Sequence, residues 1–298
     1  MRCDLHVHSK HSGPVTVPVL DRILSESYSE PEAVYQTARR RGMDLVTLTD
    51  HDTVAGALEL AGRPDFFVSE EVTCVLPERR ELHVGVFDIS EAQHEEIARR
   101  RRDAESLFAY LAEQRIPASL NHPFSPLTGR RAVEDLLLGF AGATMLETRN
   151  GMLPSATNDC ARRAASLLGR AAMGGSDAHT LASVARAYTI VPDARDKAGY
   201  LDGLRRSATI PAGRSGSYGR LTADIFRIVA GSVKEALRPG LVPSPRSLAL
   251  LAALPLAALV PLATLVQHVK ERVWAEHMFA RYRGSVPEAR PAGLGARA

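Results

Sequence analysis

Over residues 2–192, short apolar or β-branched runs alternate with longer stretches of helical periodicity, the rhythm of a parallel-stranded α/β fold. Strands are expected at Cys3–Val7, Leu45–Leu48, Phe66–Val68, Leu82–Phe87, Ala118–Leu120, Thr144–Leu146, Ala171–Met173 and Tyr188–Val191. The spacing predicts helices over Pro31–Arg41, opened by Glu30 and Pro31 and closed by Gly42, and over Ala92–Gln114, Ala132–Leu138 and Ser155–Leu168, the last stopped by Gly169. No repeat of fixed period is visible. Near Pro211 the pattern changes: Gly213, Gly216 and Gly219 interleave with Ser215 and Ser217 as a turn, a helical stretch follows over Leu221–Leu237, and a Pro-rich hinge precedes Leu248–Val266, a run without charge. These shifts divide the chain into an α/β part (1–212), a helical extension (213–283) and a Pro/Gly/Ala/Arg tail (284–298) expected to be disordered.

Composition changes this picture little. The chain has 298 residues, 45% apolar and 24% charged, which excludes disorder for its bulk, and its net charge of +3 is too mild to argue by itself for a nucleic-acid partner. Cys3, Cys74 and Cys160 are odd in number and widely spaced, so neither a disulfide framework nor a thiolate zinc site is expected. The opening Met-Arg-Cys-Asp-Leu-His lacks the pattern of a cleaved export signal, and a cytoplasmic location is expected. As a helix, Leu248–Val266 would reach about 28 Å, close to the hydrocarbon thickness of a bilayer. Pro255 and Pro261 interrupt it, so a span, a kinked interfacial segment on the cytoplasmic face, a buried helix and a partner surface are all open readings.

Six of the ten histidines, with acidic companions, fall at or just after expected strand ends, where α/β folds present their active-site residues. In an extended chain Asp4, His6 and His8 share one face, so the two imidazoles can chelate one ion, with Asp4 as ligand or as acceptor for a ring N–H. Asp50, His51 and Asp52 crowd the end of the second strand. The adjacent carboxylates Glu70 and Glu71 follow the third, and a dication would relieve their repulsion. His83, then Asn121-His122-Pro123, then Gly174-Gly175-Ser176-Asp177-Ala178-His179 complete the series, the glycines suggesting a tight turn. Each piece alone is weak. Their recurrence at successive strand ends points to a metal cluster, and His with carboxylate ligation suits Zn, Mn or Fe.

This ordered set resembles the PHP family, the polymerase and histidinol phosphatase superfamily of metal-dependent phosphoesterases, over about residues 1–192. The resemblance implies a distorted, TIM-like (β/α)7 barrel with two or three divalent ions at the C-terminal ends of its strands. By motif position His6, His8, Glu71 and Asp177 would hold one ion, Glu71 would bridge to a second held with His83 and His122, and His51 and His179 would belong to a third. One departure stands out. Where the family commonly carries an acid or histidine for the third ion, this chain has Gly13, with His11 the nearby candidate to replace it.

The expected chemistry is hydrolysis of a small phosphomonoester or cyclic phosphodiester by metal-activated hydroxide. His179, or Asp50 with His51, would assist proton transfer, and Arg149 and Asn150 would bind the substrate anion. Arg130, Arg131, Arg214 and Arg220 are further cationic candidates. Arg99–Arg102 sits among acids in a helical stretch and reads as a solvated face, with little aromatic interleaving for base stacking. A nuclease acting on oligonucleotides is the second substrate class. A non-catalytic metal-bearing regulatory domain also fits the motif set, as does a metal hydrolase of another kind, such as an amidohydrolase. Leaving group, native metal and oligomeric state are not legible.

Overall fold

The computed structural model describes residues 1–15, 20–127, 129, 131–238 and 244–285. In chain order these form β1 (Arg2–Cys3), α1 (Pro31–Arg40), α2 (Ala55–Leu58), β2 (Ser69–Val75), β3 (Glu81–Phe87), α3 (Glu91–Arg100), α4 (Ala104–Glu113), β4 (Ala118–Leu120), α5 (Val133–Gly142), β5 (Met145–Asn150), α6 (Ser155–Leu168), β6 (Ala171–Gly175), β7 (Ala187–Ile190), α7 (Lys197–Arg205), β8 (Ile210–Gly213), α8 (Tyr218–Ala236), α9 (Pro245–Ala253) and α10 (Val260–Ser285). Short 3-10 turns link some of them. Of the tail expected to be disordered, Gly284 and Ser285 close α10, and the rest lies outside the described residues, as do most of the Pro-rich hinge and Arg130.

The strands make a five-stranded sheet, β2-β3-β4-β5-β6, and a three-stranded sheet, β1-β7-β8. Two features depart from the expected parallel barrel. First, β3 runs antiparallel to both neighbours, because the short connection at Pro77–Arg79 folds Glu81–Phe87 back along Ser69–Val75 as a hairpin. Second, the described strands close no barrel. Single parallel bridges, Val7 to Ala178, Val46 to Phe66 and His51 to Glu71, stand where continuous ladders would run. The reason is local: side chains take the backbone donors that a ladder would use. Thr49 Oγ1 accepts from the Val7 amide at 2.9 Å, and Asp50 Oδ1 accepts from the Ser9 amide at 2.6 Å.

The expected Ala92–Gln114 helix is two helices. A reciprocal Ser90–Gln93 capping box opens α3, and the Asp103 carboxylate accepts from the Ser106 amide at 3.1 Å to start α4. The largest apolar cluster joins the inner faces of β3 and β4 to α4, α5 and α6, and it also contains Ala275, Met278, Phe279 and Tyr282 of α10. Phe279 packs edge to face on Phe124 with ring centroids 5.7 Å apart. The C-terminal half of α10 is therefore built into the core of the α/β part.

The N-terminal half of α10 is tied to α8, where Thr222 and Thr264 share a hydroxyl bond of 2.7 Å and the Tyr218 hydroxyl donates to the Pro261 carbonyl. The segment Pro245–Ser285 contains an 18-residue stretch apolar enough to cross a membrane, with a mean hydropathy of 2.3. The most apolar stretch of this segment is only 11% buried, although Thr264 of α10 is tied to α8. Leu256, Leu259, Leu262, Leu265 and Val266 are exposed along this segment.

Candidate metal centre

Glu71 is the hub. On β2 its side chain faces inward while that of Glu70 faces outward and accepts from His94 of α3 at 2.9 Å, so the adjacent acids are separated by strand alternation and do not share a site. Around Glu71, Oε2 lies 3.1 Å from His6 Nε2, 3.5 Å from His8 Nε2 and 3.3 Å from His51 Nε2. Its Oε1 lies 3.2 Å from His122 Nε2 and 3.4 Å from His83 Nδ1, and it accepts from Asn121 Nδ2 at 2.9 Å. Asp177 Oδ1 is 3.5 Å from both His6 Nε2 and His8 Nε2. Three overlapping triads result, His6–His8–Asp177, His6–Glu71–His122 and His8–His51–Glu71, each with ligand atoms within 4.8 Å of one another.

The backbone is shaped for this convergence. His122 and Asp177 both adopt positive φ, 30° and 52°, which re-aims each side chain at the end of its strand. Each is pinned there: the His122 amide donates to Glu147 Oε2 at 2.8 Å, and the Asp177 amide donates to the His6 carbonyl at 2.6 Å. Gly174 and Gly175 do not form the expected turn but end β6. A Cβ on Gly175 would meet His6 Cβ at 2.2 Å, so glycine lets β6 lie against the backbone that carries His6.

Electrostatics favour a cation at the centre. Burial disfavours charge on the His6 ring, but the carboxylates of Glu71, Asp177 and Glu147 overcome it and hold its pKa well above the ordinary value. Burial, with His179 alongside, pushes His8 down to about 4, and burial likewise takes His51 to about 3. Glu71 and Asp177, although buried, are held well below the usual carboxylate range by the imidazoles around them. His8 Nε2 is buried between the two carboxylates without a hydrogen-bond partner. Such a nitrogen, among acids that demand positive charge, fits a divalent ion.

Two residues that no sequence motif marks complete the arrangement. Glu26 is buried, with Oε2 3.4 Å from His51 Nε2 and 3.7 Å from His179 Nε2, and that oxygen has no hydrogen-bond partner. The Glu26 amide donates to the carbonyl of Gly13, the position of the departure, at 3.0 Å. His11, the nearby candidate for that place, turns away to Glu59 at 2.9 Å. Glu26 and Asp177 outweigh burial at His179 and raise its pKa to about 9. Glu147 is the other. Its Oε1 accepts from His6 Nδ1 at 2.8 Å, while Oε2 takes the His122 amide and Asn150 Nδ2, so one carboxylate orients three groups. Alternation along β5 is the one signal that could have found Glu147, and nothing local in the sequence points to Glu26.

Other expected residues lie elsewhere. Asp50 does not reach the cavity: it accepts from Ser9 and from the Ser12 hydroxyl, whose oxygen lies 2.8 Å from His8 Nδ1, and so braces the first motif. Asp52 pairs with Arg101. Asp4 accepts from the amides of Ser176 at 2.8 Å and Ala185 at 2.7 Å instead of serving a ring N–H. Asn150 donates to Asp177 Oδ2 and Glu147 Oε2, both at 3.0 Å, and its Oδ1 accepts from the Met152 and Leu153 amides. Arg149 points to Ser215, 3.2 Å away, and Arg131 donates to the carbonyls of His122 and Pro123.

Above the cluster opens a cavity of about 210 Å³ whose floor includes His51, Glu71, His83, His122, Asp177 and His179. Among the described residues no Lys or Arg lines it. Glu271 of α10 enters its wall. One oxygen accepts from Ser125 at 2.8 Å and Gln267 at 3.0 Å, Oε2 has no partner, and burial raises the carboxyl pKa to about 7.

A family model described as PHP-associated matches residues 156–209, the stretch that includes Asp177 and His179. An uncharacterised protein of Methanocaldococcus jannaschii is 36% identical over 59 residues, 20% of this chain and 33% of that protein, so the match spans about a third of the relative. Among solved structures, the fold is similar to that of a two-domain protein from Bacteroides vulgatus, described as containing a PHP-like metal-dependent phosphoesterase, at a TM-score of 0.53 and 17% identity over 77% of this chain and 70% of that one. PsfC from Pseudomonas syringae is matched at 0.49 and 20% identity, over 78% of this chain and 96% of that one.

Proposed function

The motif set, the matched segment and the shared fold support a PHP-family protein, and from that premise we propose that the chain is a metal-dependent phosphoesterase acting on a small phosphomonoester or cyclic phosphodiester. The observation that carries the reading is the convergence of five imidazoles on the two oxygens of Glu71, with Asp177 beside them. On this reading the five-stranded sheet, continued through the single bridges at Val7, Val46 and His51, is a distorted (β/α)7 barrel. His6, His8, Glu71 and Asp177 would hold one ion, Glu71, His83 and His122 a second, and His51, His179 and Glu26 a third, each Zn, Mn or Fe. Bound ions would supply the charge that offsets the phosphoryl oxygens and would make water acidic enough to attack near neutral pH.

The chain's own residues do the rest. Glu147 fixes the tautomer and aim of His6, and Asn150 donates to Asp177 Oδ2 and so orients that carboxylate. Glu271 Oε2 holds a proton up to about neutral pH and is the group placed to give it to the leaving oxygen. His51 and His179 are the alternative proton carriers. A cavity that no Lys or Arg lines among the described residues suits a small ester better than an oligonucleotide, whose backbone calls for several Lys or Arg contacts. The exposed apolar side chains of residues 248–266 suit a cytoplasmic enzyme attached to a membrane.

The test is hydrolysis of a panel of alkyl, aryl, sugar and nucleoside phosphates and cyclic phosphodiesters, read as released phosphate or monoester and run with elemental analysis of the purified protein. Two or three ions per chain and hydrolysis of at least one ester are expected. Asp177→Ala should lower the ion count and cut kcat/KM by at least about a hundredfold. No hydrolysis of any of these esters with Mn or Zn present would refute the reading.

A further inference from the structure

The walls of the cavity differ in kind from its floor. Leu221, Ile225 and Ile228 stand four and three residues apart on α8, which puts them on one helix face, and that face lines the cavity. Leu127, Leu153 and Pro154 line it from the loops after β4 and β5. The histidines and acids lie at the bottom of the same cavity, so any molecule whose anionic group reaches them must lay the remainder along these aliphatic side chains. A sugar or a nucleoside would leave its hydroxyls there without partners, each a loss of a hydrogen bond made in water. Glu271, Gln267 and His268 are the polar exceptions, and all three come from α10.

We propose that the substrate is a phosphoester with an apolar alkyl or aryl leaving group, its phosphate on the metal cluster and its chain between α8 and the loops after β4 and β5. The assignment rests on the phosphoesterase reading for the fate of the substrate but not for its shape. Such an ester has two sources, a dissolved alkyl or aryl phosphate and a phospholipid presented at a surface. The exposed Leu262, Leu265 and Val266 of α10 are on the extension that builds one side of the cavity, so both routes are tested.

The experiment is calorimetric binding of a series of alkylphosphonates, ethyl to octyl, to the full metal-loaded chain, with hydrolysis of the matching alkyl phosphates measured alongside. Phosphonates cannot be hydrolysed, so affinity is read without turnover. The dissociation constant should fall about threefold per added methylene until the cavity is filled, and ω-hydroxyalkyl phosphonates of equal length should bind at least about tenfold more weakly. In Ile225→Asn the slope should flatten while methylphosphonate affinity changes less than about twofold. A dissociation constant independent of chain length in the unaltered protein overturns the proposal, whether or not phosphate is released. A steep slope with no hydrolysis of any ester upholds the apolar site and refutes the phosphoesterase reading. Competition by phosphatidylcholine vesicles carrying phosphatidate assigns the lipid source, and competition by soluble alkyl phosphates alone assigns the dissolved one.

Discussion

At the scale of single residues, the site depends on positions whose value lies in what they leave room for or hold in place. Gly175→Ala would drive a methyl group into the backbone at His6, an obstacle no rotamer change removes. We expect a loss of at least about 2 kcal/mol in denaturant midpoints, together with weaker metal retention. Glu26→Ala should remove one ion per chain by elemental analysis and leave the others bound, because its close partners are His51 and His179. The candidate ligands are legible in the sequence because each sits in a short motif whose residue types carry the chemistry. Glu26 and Glu147 are not: an acid in a polar stretch such as Leu24–Tyr28 looks solvated until folding brings two imidazoles to it. Asp50 shows the opposite error, a motif acid that braces its neighbours rather than facing the cavity.

At the scale of elements, the pattern of apolar positions locates strands better than it orients them. Glu70 and Glu71 suggest exposure and so read as a motif beyond a strand end, yet both acids are buried within Ser69–Val75, one on each face of β2. The antiparallel direction of β3 is hidden by the same fact, since a strand buried on both faces carries no sign of its direction. The break between α3 and α4 is readable in principle, Asp103 being a good cap. Asp103→Ala should cost about 1 kcal/mol and leave ion content unchanged, which thermal unfolding and elemental analysis would show together. Composition places a boundary at 212, whereas packing ignores it. Phe279→Ala should destabilise the whole chain by about 3 to 5 kcal/mol in one transition, as expected for a core side chain and not for an appended helix.

For the whole molecule, pH ties the extension to stability. Glu271 titrates near 7 in the folded chain and near 4.5 when unfolded, so between those values the folded state holds the proton that the unfolded state has lost. Its contribution is complete below about 4.5 and is lost as pH rises through about 7, a change of about 3 kcal/mol at most. Glu271→Gln should therefore gain on the unaltered protein as pH rises across that window, a difference that denaturant titrations at several pH values would resolve. Equal pH profiles for the two proteins would place the carboxyl in water.

Helix α10 has two duties, and they cannot be separated by a knife. Cutting the chain after residue 212 would spare every ligand and remove one side of the bowl, while also pulling Phe279 and Tyr282 out from under α5. Selectivity and solubility should then fail together, and a trimmed fragment that precipitates or binds indiscriminately would say little about the intact chain.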